Sequence, residues 1–314
     1  MLRIIAKRLL SFLLVAWLAS SMCFFIVFLS PGDVARSVLH GQMGMVTDSA
    51  VETFRRNEHL DDPIVVQYLR WGGRVLSGDL GDSLRSHSPV ADRLISSISA
   101  TMQLAIPAML LCIAISVPLG IFCAYNKHTI LDRILSLFQI AGLSVPEFWL
   151  AFMLIIVFSL QLGLVPVAGY GGVGNVQSSI LPVVALSIFS SCMLARIMRA
   201  SMIDALEEQY ALGARAKGAK ETRVVFLHAL KNALLPYITM SGIVFGWLLS
   251  GSVIIEIVFS WPGIGWLLYE AIKAKDYPVI QGCVLFILGI YLFISFAVDL
   301  SYQLLNPRIR YAKE

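Results

Sequence analysis

Charged residues are scarce in this sequence. Only 14% of the 314 residues are Asp, Glu, Lys or Arg, whereas 58% are hydrophobic. Soluble domains carry about 25% charged residues, so a chain this poor in charge, with long unbroken apolar runs, does not have the composition of one. The composition therefore argues against an ordinary soluble domain and predicts an integral membrane protein.

Cysteine and histidine are also few, with five residues of each. The cysteines lie in or beside apolar runs and form no C-x-x-C pair, so we interpret them as small buried hydrophobic residues rather than as a disulfide framework. No histidine lies within an apolar run and no pair has the spacing of metal ligands, so we predict no metal site. The sequence also lacks a hydrolase signature and a Walker A motif, and we expect neither enzymatic activity nor ATP hydrolysis from this chain.

Long apolar runs are present in place of charge. A helix needs about 20 apolar residues to cross the ~30 Å hydrocarbon core of a membrane. Six stretches are long enough, and the first continues too far beyond Ala19 to be a cleaved signal peptide. The six predicted spans are Leu9–Leu29, Met102–Tyr125, Leu135–Leu162, Ile180–Ala200, Tyr237–Phe259 and Val279–Leu305. In the fifth, Gly242 and Gly246 form a GxxxG pattern, which is typical of helix packing.

The lysines and arginines are distributed unevenly among the loops. Most of the 24 lie in the N-terminus, in the loop after the second span, between the fourth and fifth spans, and in the C-terminal tail. Because positively charged loops stay on the cytoplasmic side, we expect both termini to be cytoplasmic. The predicted division is a first span within residues 1–29, an extracytoplasmic loop at 30–99, a core of five spans at 100–305, and a tail at 306–314.

Three non-spanning regions have a distinct character. The 30–99 loop is long, mixed in charge and too polar to cross a membrane, and we expect it to form a small helical cap. A glycine-rich stretch, GYGGVGN at 169–175, lacks the spacing of a phosphate-binding loop and is interpreted as a flexible turn. After the fifth span, Trp261, Trp266 and Tyr269 fit the aromatic belt at a membrane interface.

The segment between the fourth and fifth spans, residues 201–236, is basic and rich in helix-forming residues. Gly218 can adopt a positive φ, so we expect two short helices to meet there in an elbow. Its small side chains would let another protein approach closely. The segment is either a solvated loop that contacts anionic lipid or a docking site for a protein. A nucleotide-binding loop does not fit, because Ala219 and Lys220 follow Gly218 where a P-loop has Lys and then Ser or Thr.

Motifs along almost the whole chain resemble the permease subunits of ABC importers, in the form found in the peptide/nickel subfamily. The EAA-type loop of that subfamily has Ala-Arg-Ala-Lys-Gly followed by His-x-Leu-Lys-Asn-Ala-x-x-Pro, as at 214–218 and 228–236 in this sequence. Two departures, Val34 where the family has Pro and Gly213 where it has a larger residue, leave the local geometry open. The further matches are Pro-Gly-Asp at 31–33, LDDPIVVQY at 60–68, GDLGDS at 78–83, EIVFSWPGIG at 256–265, DYPVIQ at 276–281 and NPRIR at 306–310.

The resemblance implies an all-α membrane protein with six transmembrane helices, a cytoplasmic coupling elbow within residues 201–236 and a helical extracytoplasmic loop. The chain would be a multi-pass permease of the bacterial inner membrane that forms half of a translocation pathway with a second, homologous permease. Two cytoplasmic ATPase subunits would bind ATP and Mg, and an extracytoplasmic solute-binding protein would deliver cargo. No cofactor is expected on this chain, and its other partner is membrane lipid rather than nucleic acid.

The resemblance also implies which residues couple the chain to the ATPase. Arg215 and Lys217 are expected to pair with acids on that partner, and the small residues are expected to seat the elbow in a groove. The residues expected to contact the ATPase are Ala214, Arg215, Ala216, Lys217, Gly218, Ala219, His228 and Asn232.

Carboxylates inside the predicted spans are few, since a charge there costs roughly 2.5–3.5 kcal/mol on insertion scales. Glu147, beside Pro146, is either a pathway residue that meets a cationic group of the cargo or a structural acid bonded to a neighbouring helix. Glu256 is the second pathway candidate, although its place near the end of a span also fits a structural role.

The cargo is left open between nickel, carried as a chelate, and di- or oligopeptides. Short segments such as FWLAF favour nickel-type members slightly. The alternative function is an ion-coupled secondary transporter, which would predict inverted repeats and charges buried in mid-span.

Overall fold

The computed structural model describes residues 2–29, 33–43, 46–250 and 253–305. The predicted tail at 306–314, with its NPRIR match, and Pro31-Gly32 lie outside the described residues. Throughout the described part the structure is almost wholly helical, and the β pairing there is limited to one isolated bridge between Asp82 and Pro89. Helices suit this sequence because they satisfy every backbone N–H and C=O internally, without water.

The helices are numbered in chain order. They are α1 Leu2–Leu29, α2 Val34–Met43, α3 Asp48–Asn57, α4 Ile64–Leu76, α5 Val90–Tyr125, α6 Ile130–Ser144, α7 Glu147–Leu154 with a π-helical continuation Ile155–Gln161, α8 Val176–Glu207, α9 Gln209–Ala216, α10 Glu221–Arg223 with a π-helical continuation Val224–Ala229, α11 Leu230–Leu249, α12 Val253–Val258, α13 Ile264–Ala274 and α14 Tyr277–Leu305.

The chain divides into two compact units. The first comprises Met1–Ala100 and Pro262–Leu292, and the second comprises Thr101–Trp261 and Phe293–Glu314. Both units are therefore assembled from segments far apart in the sequence.

The first unit contains the 30–99 loop, which has three helices, α2 to α4. Helices α2 and α3 pack around Ala35, Leu39 and Val51. Helix α4 lies against α1 through aromatic rings, and the Ser21 and Tyr68 hydroxyls of the two helices are 2.6 Å apart. A second apolar cluster joins the start of α5 to α13 and α14 through Val90, Leu94, Ile264, Leu267, Ala271, Val279, Ile280 and Cys283.

In the second unit, helix α8 packs against α6, α7, α11 and α12. Glycines permit close approach: a Cβ at Gly120 would lie 2.5 Å from Cβ of Met198. The predicted packing role of the GxxxG pair is confirmed, because an added Cβ at Gly242 would collide with Val298 and one at Gly246 would touch Ile294.

Candidate membrane spans are fewer in the described residues than the six predicted. Four helical segments there are long and apolar enough to cross a membrane: Val90–Tyr125, Val176–Glu207, Glu221–Val258 and Tyr277–Val298. Helix α1 has 28 residues, and in the part of it whose side chains the structure describes the apolar segment is Leu13–Ile26. A fifth span exists if α6 and α7 are counted together.

The third predicted span differs from the expected single kinked helix. Helices α6 and α7 are separate and change direction by 99°. Pro146 lacks an N–H and disfavours helical backbone in the residue before it. Val145 is accordingly extended, with φ −81° and ψ 123°, so α6 ends and a new helix starts at Glu147.

Candidate functional site

The 201–236 segment begins inside a long helix. Helix α8 continues to Glu207, Glu208 is extended, and α9 follows at Gln209–Ala216. Helix α9 ends in a Schellman motif, since Gly218 N donates to Arg215 O and Ala219 N donates to Ala214 O. Gly218 has a φ of +81°, the conformation that the sequence predicted for it. We call residues 208–229 the elbow.

Arg215 holds the elbow together from within. Its Nη1 donates to Leu206 O at 2.9 Å, while Nε and Nη2 donate to the two carboxylate oxygens of Glu221 at 3.0 and 2.6 Å. Hydrogen bonding to Glu221 raises the pKa of the Arg215 guanidinium. The guanidinium thus links the end of α8 to the start of α10.

The other predicted coupling residues divide by exposure. Ala216, Lys217, Gly218 and Asn232 are exposed. Ala214, Ala219 and His228 are half-buried, and Asn232 Nδ2 donates to His228 O at 3.2 Å.

The elbow has a closed inner face and an open outer face. Ala211, Val224, Val225 and Ala229 are almost completely buried against α8 and one another. An added Cβ at Gly213 or at Gly218 would meet nothing within 4 Å. Large apolar side chains are nevertheless exposed on the elbow, namely Tyr210, Leu212, Phe226 and Leu227. The sequence analysis did not select these four as coupling residues. They are apolar like the residues of the inner face, and only the structure shows which of the two sets is buried.

Helix α8 is also tied to α6. Arg199 donates to both carboxylate oxygens of Asp132, at 2.7 and 2.8 Å, and the Asp132 side chain is only 4% exposed. Asp132 lies in the first turn of α6, where Thr129 caps the helix by accepting from Asp132 N. Lys127, between α5 and α6, pairs with Glu207 at the end of α8. These two ion pairs connect α8, which leads into the elbow, to α6 and to the turn before it.

The two predicted pathway carboxylates occupy different surroundings. Glu147 is half-buried in the first turn of α7, where the helix dipole favours an acid. Glu256 on α12 is 1% exposed, and its Oε1 accepts from Thr101 Oγ1 at 2.8 Å. The surroundings of Glu256 fit the structural role that the sequence left open.

The turn after α12 is buried rather than interfacial. Trp261 is fully buried and stacks edge-on against Tyr170, so the aromatic-belt prediction is wrong for this tryptophan. Tyr170 belongs to the glycine-rich stretch, which Gly169 N fastens to Phe259 O at 2.9 Å. The hydroxyl of Tyr170 also accepts from Gln103 Nε2. These three contacts anchor the GYGGVGN stretch, where the sequence predicted only a flexible turn.

A buried carboxylate that the sequence analysis did not select organises the first unit. Asp276 accepts from Ser83 Oγ at 2.5 Å and from Leu84 N at 3.1 Å. Arg93 Nη1 lies 3.5 Å from Asp276 Oδ2 and donates to Ser83 Oγ at 3.0 Å. The GDLGDS and DYPVIQ motifs, 193 residues apart at this bond, are thus two halves of one contact.

No cluster of three or more metal-ligating side chains occurs among the residues that the structure describes.

Family models match both parts of the chain. The model for "Binding-protein-dependent transport system inner membrane component" matches residues 116–311, and the model for its N-terminal part, "Binding-prot-dependent transport system membrane comp, N-term", matches residues 1–105. Together they cover nearly all of the sequence.

Curated relatives match over their full length. The glutathione transport system permease protein GsiC of Escherichia coli (strain K12) is 38% identical over 312 residues, which is 99% of this chain and 100% of the relative. A protein of Sinorhizobium fredii named "Probable peptide ABC transporter permease protein y4tP" is also 38% identical, over 98% of this chain and 99% of its own.

Solved structures show the same fold at low identity. An inward-facing crystal structure of the MetNI methionine ABC transporter aligns with a TM-score of 0.54 at 18% identity, covering 68% of this chain and 96% of its own. The family and fold argue against the ion-coupled secondary transporter. The chain belongs to the binding-protein-dependent transport system inner membrane components, the permease subunits of ABC importers.

Proposed function

We propose that this permease imports short peptides and that its elbow is the surface on which a partner ATPase drives transport. The permease is not itself an enzyme, because ATP hydrolysis in this family belongs to partner ATPase subunits. The cargo proposal draws on relatives that are named for glutathione and peptide transport.

The observation that carries the coupling role is the exposed apolar surface of the elbow, formed by Tyr210, Leu212, Phe226 and Leu227, with open space at Gly213. A glycine within a helix is less favourable than alanine by roughly 1 kcal/mol. Gly213 has no positive φ and no close neighbour that would require the missing side chain. Together with the exposed apolar side chains beside it, this favours a partner that approaches the backbone closely.

Coupling would proceed through the contacts of Arg215. When ATP draws two ATPase subunits together, each elbow moves with its ATPase. The Arg215 bonds to Leu206 and Glu221 make α8, α9 and α10 follow as one body. Because a packed helix bundle has discrete arrangements, this displacement would switch the pathway between inward-open and outward-open states. Of the two basic residues expected to pair with the ATPase, Lys217 is exposed and makes no ion pair with a described residue, so it is available to an acid of the ATPase.

The remaining parts of the proposal concern the orientation of the chain in the membrane, its partners and its carboxylates. The elbow and both termini would be cytoplasmic in a bacterial inner membrane, and the 30–99 loop would face the solute-binding protein. A second permease would complete the pathway, with two ATPase subunits beneath. Glu147, at the break between α6 and α7, would meet the cationic end of the peptide, while Glu256 would hold the turn before Trp261.

Uptake by the complete complex tests this function. The complex of this permease, its neighbouring permease, the ATPases and the binding protein would be reconstituted in liposomes. Labelled glutathione, a labelled dipeptide and radioactive nickel with and without histidine would be compared. We expect ATP-dependent peptide uptake that excess nickel does not reduce. Nickel uptake that excess peptide leaves unchanged would contradict the peptide proposal and support the nickel chelate instead.

A further inference from the structure

A cavity of about 320 Å³ lies within the first unit. It is lined by side chains of α1, α4, the loop at 79–87 and the start of α14. Its apolar wall includes Phe24, Trp71 and Tyr277. The volume is at the lower end of the range for small-molecule sites, so it suits a ligand the size of a short peptide segment.

Gln281 is the most informative residue of this cavity. The residue is only 7% exposed, and its side-chain amide makes no hydrogen bond to any residue that the structure describes. An amide carries donor hydrogens and an acceptor oxygen, so one that makes no bond within the chain is available to a ligand. Gln281 lines the cavity, so a ligand there would supply the missing partner. It belongs to the DYPVIQ motif, which the coupling elbow does not explain.

Arg74 supplies an available positive charge in the same cavity. It is exposed and makes no ion pair with any described residue, whereas the neighbouring Arg70 is paired with Asp62. A guanidinium and an amide that line the same cavity are suited to a carboxylate, which accepts charge-assisted hydrogen bonds. Acids also line the cavity, namely Glu58, Asp79 and Asp82, and they suit an ammonium group.

The wall that faces these groups is fixed before any ligand arrives. The loop at 79–87 is held by the buried bonds from Ser83 Oγ and Leu84 N to Asp276. Gly81 N donates to Asp79 Oδ1, and this bond orders the turn at residues 79–81. A preorganised wall lowers the entropic cost of binding.

We propose that this cavity binds a carboxylate-bearing peptide segment of about two residues, with Arg74 and Gln281 as its donors. The inference rests on the proposed function for its ligand class. The segment comes either from free peptide cargo or from a loop of the solute-binding protein, since both present the same chemistry.

Binding measurements on the assembled complex test this proposal. The permease complex with its ATPases, in lipid nanodiscs without binding protein, would be titrated with labelled alanyl-alanine and with its C-terminal amide. A second titration would use the peptide-free binding protein. The variants are Arg74→Gln and Gln281→Leu, and Arg56→Gln is the matched control because it removes an exposed charge outside the cavity.

We expect the free dipeptide to bind saturably and the amide to bind far more weakly. Arg74→Gln and Gln281→Leu should each weaken binding about tenfold, with no change in Arg56→Gln. If the dipeptide does not bind but the binding protein loses affinity about tenfold in both variants, the segment comes from that protein. If neither ligand distinguishes the variants from the control, the proposal is wrong.

Two further measurements distinguish ligand binding in the cavity from a structural role of Gln281 and from transport itself. Gln281→Leu should not lower the unfolding temperature, because it removes an unpaired amide; a marked loss of stability would show a structural residue and contradict the proposal. ATP-driven peptide uptake in a complex whose cavity binds neither ligand would overturn this inference and leave the proposed function standing. Carboxylate-dependent binding in a complex that transports no peptide would support this inference and contradict the proposed function.

Discussion

Two of the arginine–carboxylate contacts in the described residues, Arg215–Glu221 in the elbow and Arg93–Asp276 in the first unit, differ in burial. In the elbow, Arg215 and Glu221 have side chains that are 34% and 40% exposed. In the first unit, Asp276 is 2% exposed in its contact with Arg93. An exposed pair contributes little to stability, whereas breaking a buried one leaves an uncompensated charge. The first contact therefore suits a segment that must move, and the second suits a scaffold that must not.

The largest effect on the free energy of unfolding is expected for Asp276→Ala. Ser83 Oγ, Leu84 N and Arg93 would lose their shared acceptor, at a cost of about 3–5 kcal/mol. Thermal unfolding in detergent, followed by a dye that reacts with the buried thiols of Cys112 and Cys283 as they become exposed, measures the loss. Asp61→Ala is the control, since Asp61 is exposed and has no partner among the described residues. Equal unfolding temperatures for the two variants would contradict the scaffold role.

An intermediate effect is expected for Asp132→Ala. This change removes both bonds from Arg199, whose side chain is 29% exposed, much as that of Arg93 is at 31%. Asp276→Ala additionally leaves the buried donors Ser83 Oγ and Leu84 N without their acceptor. We therefore expect a loss of about 2–3 kcal/mol, smaller than for Asp276. The same thiol-reactivity assay ranks the two variants. The reverse order would show that the buried donors Ser83 Oγ and Leu84 N do not add to the cost.

A small effect on stability is expected for Glu221→Ala. The exposed pair with Arg215 should contribute less than about 1 kcal/mol, but transport should fall because α8 and α10 are no longer joined. ATP hydrolysis and peptide uptake, measured together in liposomes, give the coupling ratio. Glu208→Ala removes an exposed elbow acid that has no side-chain partner among the described residues and should leave this ratio unchanged. Unchanged coupling in Glu221→Ala would count against the role of Arg215 in transmission.

The smallest effect on stability, with a large effect on coupling, is expected at Gly213. Its open surroundings can accommodate a side chain, and replacing this glycine by alanine should stabilise α9 by up to about 1 kcal/mol. Gly213→Ala should keep transport, while Gly213→Trp should abolish it by lifting the elbow from the ATPase. Gly218→Trp should also uncouple transport, although its φ of +81° adds strain. Normal uptake by Gly213→Trp would refute docking at this surface.

Local chemistry made several features predictable from sequence. Long apolar runs of about 20 residues predict helices because a helix pairs its backbone polar groups within one segment. The positive φ at Gly218 and the interruption at Pro146 follow from the two residues themselves. The family was also evident from motif order, and the two family models confirm it.

Tertiary contacts decided what the motifs do. Arg215 was predicted to pair with an acid of the ATPase. Within this chain its guanidinium donates hydrogen bonds to Glu221, six residues away, and to the carbonyl of Leu206. Trp261 resembled an interfacial residue, but Tyr170 covers it. In both cases the partner lies on another element, and no local pattern encodes which elements meet.

The sequence by itself determined that this is a membrane protein, that it is helical and which family it belongs to, because these properties depend on composition, periodicity and short motifs. Only the tertiary structure decided which polar groups are paired. It joined Asp276 to Ser83, left Gln281 without a partner among the described residues beside a cavity, and left Gly213 in open space. The physical reason is that hydrogen bonding and burial are properties of pairs of segments, which come together only when the chain folds.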